Sequence, residues 1–108
     1  MNPTTAAITE LFDRIPRRHT PDNVKDIYSI LSAYEDILIS IEAQNAFYEK
    51  NISIFFEQLD EIRSIIKKSS DNKASKKNKD SFFDEASGTL KDSMQALMAL
   101  YADGNRTA

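Results

Sequence analysis

Residues 24–68 read VKDIYSILSAYEDILISIEAQNAFYEKNISIFFEQLDEIRSIIKK, and thirteen positions within them follow an unbroken 3-4 alternation. They are Val24, Ile27, Leu31, Tyr34, Leu38, Ile41, Asn45, Tyr48, Ile52, Phe55, Leu59, Ile62 and Ile66, and of these only Asn45 is neither apolar nor aromatic. A 3-4 spacing keeps side chains on one stripe of an α-helix, and about six heptads of it form the pattern of a coiled coil or long bundle helix. No Pro or Gly interrupts the run, and the phase is the same on both sides of the polar patch Gln44, Asn45, Glu49, Lys50 and Asn51. A hairpin at that patch would give an ordinary compact bundle, but a loop has no reason to preserve heptad phase. The spacing therefore predicts one continuous helix over 21–68, on the order of 65 to 70 Å long.

Shorter elements flank this rod. A first helix is expected over 3–15, with Asn2 as its cap, Pro3 at the first helical position and Ile8, Leu11, Phe12 and Ile15 on its apolar face. Pro16 ends it, and Thr20, Pro21 and Asp22 provide the cap, first residue and first-turn acid of the long helix. Residues 69–80, rich in Lys, Ser and Asn, read as a flexible basic linker. A third helix is expected over 81–103, opened by Ser81 and Asp84, stopped by Gly104, and buried through Phe83, Leu90, Met94, Leu97 and Tyr101. Residues 104–108 are expected to fray. The expected fold is a single all-α domain over 1–108: an elongated helical bundle or coiled coil on one long central helix, with the third helix folded back antiparallel.

With Val24 at heptad position a, Asn45 is a lone polar a residue, a device that sets register in parallel dimers. The flanks argue instead for a bundle. Tyr34, Tyr48 and Phe55 are bulky for a two-stranded seam, and Ile30, Ile37, Ile65, Tyr28 and Phe56 make the stripe too wide for one partner helix. The first helix would reach only to about Tyr34, and the third would cover about residues 46–66. That leaves Ile37, Leu38, Ile41, Asn45 and Tyr48 as the expected seam for another helical protein chain, with a hetero-oligomer favoured over a homodimer.

Charge is unevenly spread. Residues 22–66 hold nine acids against three bases, whereas 67–80 hold Lys67, Lys68, Lys73, Lys76, Lys77 and Lys79 against two acids. These lysines form a candidate basic contact patch, and Arg14, Arg17 and Arg18 form a second. The lysine run has no aromatic residue to stack on bases and no apolar face for a bilayer, so nucleic acid is not expected as partner.

The chain has no cysteine and one histidine, His19, between arginines and prolines in a turn, where it is expected to be solvated. No nucleophile stands beside a base, no Gly-rich phosphate loop is present, and Glu35, Glu42 and Glu49 recur on one flank without a histidine. Neither catalysis nor a cofactor nor a metal is expected. No apolar stretch approaches the roughly 20 residues that span a bilayer, and MNPTTAAITELF, without a basic stretch followed by a long apolar run, does not resemble a secretory signal, so none is expected. The reading is a soluble intracellular protein, cytoplasmic or nuclear, acting as a non-catalytic assembly or adaptor subunit that binds partner helices in a larger complex. The alternative is a small helical chaperone, of the secretion-chaperone kind, shielding an apolar helix of a client.

Overall fold

A computed structural model describes the backbone of residues 3–107 and the side chains of residues 3–101. Five helices follow one another: α1 (Pro3–Arg14), α2 (Pro21–Glu42), α3 (Ala46–Asn51), α4 (Ser53–Ser69) and α5 (Lys76–Thr107). The cap expected from Asn2 lies outside the described residues. α1 ends because Ile15 precedes Pro16, which disfavours helical backbone at the residue before it. At the start of α2 the Thr20 hydroxyl accepts from the Asn23 N–H at 3.0 Å, and Pro21 occupies the first turn.

Cross-chain contacts fix the topology. Ser87 donates to the Pro16 carbonyl, Ser93 meets Tyr34, and the Tyr101 hydroxyl donates to Gln44, so α5 rises alongside α2. Thr9 donates to the sulfur of Met98, so α1 runs against α5. Residues 70–75 reverse the chain between α4 and α5, which pack along each other most extensively. α1, α2, α4 and α5 thus alternate in direction, α1 and α4 each flanked by α2 and α5, with α3 as a corner between α2 and α4. The bundle measures 49 × 24 × 17 Å.

The continuous rod over 21–68 is not formed. The helix stops at Glu42, turns through Ala43 and Gln44, and restarts twice, at Ala46 and at Ser53. Asn45 is the reason: its backbone is extended (φ −166°, ψ 173°) and its Oδ1 accepts from the Tyr48 N–H at 3.0 Å, capping α3. It is exposed, not a polar layer inside a seam. Folding back lets both halves of the stripe bury against one core. Of the thirteen heptad positions eleven are buried, Val24 is half-buried and Asn45 is exposed. The wide flanks do what their width implies, with Ile30 and Ile65 also buried; the architecture is a helical bundle.

The basic segment differs too. Ser75 accepts from the Asn78 N–H at 3.1 Å through its hydroxyl and caps α5, so the last helix opens at Lys76, five residues before the expected Ser81. Lysines are good helix formers, and the cap is what lets them start one. The helix also passes the expected stop at Gly104 and reaches Thr107. Its stripe is as expected, with Phe83, Leu90, Met94, Leu97 and Tyr101 buried.

Candidate functional site

The five seam residues are divided by the fold. Leu38, Ile41 and Tyr48 are 0%, 0% and 1% exposed and belong to the chain's own core; Ile37 is half-buried against that core, and Asn45 faces solvent as a cap. Leu38, Ile41 and Tyr48 therefore present no free surface in the folded chain. The reason is topological: the α2–α4 hairpin turns the middle of the stripe inward, where a straight rod would have left it open. The large apolar residues left exposed are Tyr28, Ile39 and Ile54, scattered along α2 and at the start of α4.

The basic residues are gathered. The α1–α2 and α4–α5 connections lie at the same end of the bundle, so Arg17 and Arg18 meet the lysines about sixty residues further along the chain. A cleft of about 520 Å³ there is lined by Arg17, Arg18, His19, Thr20, Lys76, Asp80 and Asp84. A second cleft at this end, of about 650 Å³, is lined by Ser64, Lys67, Lys68, Ser70, Asp71 and Asn72. Residues 11–24 and 66–79, the two connections with one helical turn on either side, hold nine of the chain's fourteen basic residues, the others being Lys25, Lys50, Arg63, Lys91 and Arg106. They hold three of its seventeen acids, Asp13, Asp22 and Asp71, with Asp80 and Asp84 lining the cleft just beyond. One end is thus net positive, while the rest of the chain carries five bases against fourteen acids. At the opposite end Ile39, Glu42, Ala43, Asn45, Ala46 and Glu49 line a notch.

The six lysines are not equivalent. Lys67 and Lys68 sit in the last turn of α4, where the helix dipole favours cations. Lys76 and Lys77 occupy the first turn of α5, which contains no acid, and with Lys79 they face the unfavourable end of the dipole. Lys73 lies in the turn, its N–H donating to Asp71 Oδ1 at 3.0 Å. Among the described residues the ion pair within 4 Å joins Arg63 to Glu35, and no lysine of the basic end takes part in one.

His19 is not the solvated turn residue expected. It is half-buried edge-on against Phe83, ring centroids 5.7 Å apart, and its Nε2 is buried without a hydrogen-bond partner. The residue types around it gave no signal, since its burial depends on α5 passing beneath the turn. Among the described residues no group of three or more His, Asp or Glu side chains is arranged to hold a metal ion. No helix is long and apolar enough there to cross a membrane.

No family model, curated protein or solved structure matches this chain.

Proposed function

We propose that this chain is a non-catalytic helical adaptor or assembly subunit, whose basic end receives an acidic helical segment of a partner protein. The observation that carries the reading is the opening of α5 on Lys76, Lys77 and Lys79 beside Arg17 and Arg18. Lys76, Lys77 and Lys79 oppose the helix dipole, and none of these five cations has a carboxylate partner within 4 Å among the described residues, so their charge gains the fold nothing there. Residues that break a local rule without a structural return are where function is to be sought.

A protein partner suits this end better than a nucleic acid. Asp71, Asp80 and Asp84 line the same clefts and repel a continuous phosphate backbone, whereas discrete carboxylates on a helix can be spaced between them. The acidic remainder of the bundle also repels a long polyanion. The His19 ring in the cleft lining packs edge-on against Phe83, which is itself fully buried and offers no stacking face. The chaperone alternative calls for an open apolar groove, and the apolar stripe here is spent on the core.

Binding of a glutamate-rich helical peptide, a DNA duplex and anionic vesicles to the wild type and to K73E/K76E/K77E/K79E tests the reading. The expected result is salt-sensitive binding of the peptide alone, lost in the charge-reversed variant at unchanged helicity. Tighter binding of DNA or vesicles than of the peptide, or peptide binding that survives the reversal, would overturn it.

A further inference from the structure

The bundle consists of two helical hairpins, α1–α2 and α4–α5, and the connection between them is nearly helical already. Ala43 (φ −74°, ψ −9°) and Ile52 (φ −86°, ψ −21°) lie in the right-handed helical region. Neither Pro nor Gly occurs between Pro21 and Gly88. Asn45 is the extended residue, held so by the bond from the Tyr48 N–H. Bringing Asn45 and the Gln44 turn into helical geometry would join α2, α3 and α4 into one helix over 21–69.

Heptad phase gives this second state its physical basis. In the closed monomer each half of the stripe is placed by its own turn, and nothing requires Leu38 and Ile41 to be in phase with Ile52 and Phe55. In a continuous helix the phase match puts all four on one face, as they stand in the sequence. A lone straight helix cannot cover that face, but a second copy running antiparallel can. Contacts now made within one chain, such as Glu35 with Arg63 at 3.3 Å, would form between two.

We propose that a second copy of this chain is the partner of an opened form. In that dimer each α1–α2 hairpin packs on the other chain's α4–α5 hairpin through the same core. The central helix is about 70 Å long, against a longest dimension of 49 Å for the monomer. The Asn45 cap holds the chain closed, and protein concentration favours the exchange.

The chain has no cysteine, so E35C/R63C can be joined by a short bismaleimide without background. The ion pair it removes is partly solvent-exposed and contributes little. In this background N45D keeps the cap, while N45A removes it and favours helix. Sedimentation is expected to show N45D as a monomer cross-linked within the chain. N45A should have a monomer–dimer association constant raised roughly tenfold or more, two caps being lost per dimer, with cross-links between chains. An N45A variant that stays monomeric, or dimerises with cross-links still within each chain, overturns the proposal. Should N45A fail to fold, E35C/R63C with Asn45 intact is refolded from urea at low and at high concentration. Links between chains that appear only at high concentration support the exchange; their absence at both overturns it.

Discussion

The Tyr34 hydroxyl lies 2.8 Å from the Ser93 hydroxyl in the middle of the core, bridging α2 and α5, the diagonal pair of the bundle. Burial pushes the Tyr34 phenol up from its ordinary value of 10.0 to about 12, with the Ser93 hydrogen bond opposing that rise in part. The folded chain therefore holds this proton where the unfolded chain has released it. The contribution is fully present below pH 10 and is lost as pH rises from about 10 to about 12, on the order of 2 to 3 kcal/mol. Urea midpoints followed by circular dichroism should fall across that window in the wild type and fall less in Tyr34→Phe. Equal slopes for the two proteins would contradict the assignment.

At neutral pH the same pair predicts a coupling. Tyr34→Phe leaves the buried Ser93 hydroxyl without its partner and should cost about 1 to 3 kcal/mol. Adding Ser93→Ala removes the stranded group, so the double variant should be more stable than the sum of the single effects. Additive losses in a double-mutant cycle would mean that the bond contributes nothing.

Asn45 should behave as a helix cap. At low protein concentration Asn45→Ala is expected to lower unfolding free energy by about 1 kcal/mol, while Asn45→Asp stays near neutral. Thermal melts of both variants check this. A more stable Asn45→Ala monomer would show that the cap does not support the α2–α4 turn.

Gly88 faces solvent within α5, and a Cβ placed on it would meet nothing within 4 Å. Gly88→Ala should therefore stabilise the protein by about 0.5 to 1 kcal/mol through helix propensity alone. No gain in denaturant midpoint would contradict the unhindered helical setting.

How far the fold can be read from the sequence differs from element to element. The core of α5 and both halves of the central stripe are legible, because burial on one face leaves a helical period that no local signal obscures. The break at Asn45 is not, because a lone Asn in an apolar stripe serves equally as a buried register residue or as a cap, and heptad phase favours the first. The start of α5 is hidden because Ser75 precedes a lysine run whose composition reads as linker. The basic end is half legible: the lysines stand out, but their meeting with Arg17, Arg18 and His19 depends on two turns lying at one end of a bundle.

The lysines that open α5 predict a trade between stability and binding. Lys76→Glu and Lys77→Glu should each raise stability by about 0.3 to 1 kcal/mol by matching the helix dipole, while weakening the acidic peptide. Melting temperature and peptide affinity measured on the same preparations should move in opposite directions. A loss of both would mean that these lysines serve the fold.

The most direct test of the adaptor reading is a two-dimensional amide NMR titration of the wild-type chain with a glutamate-rich helical peptide. The account predicts salt-sensitive shifts concentrated at Arg17, Arg18, Lys73, Lys76, Lys77 and Lys79, with the notch around Ile39 and Glu42 unmoved. No shifts, or shifts centred on that notch, would contradict it.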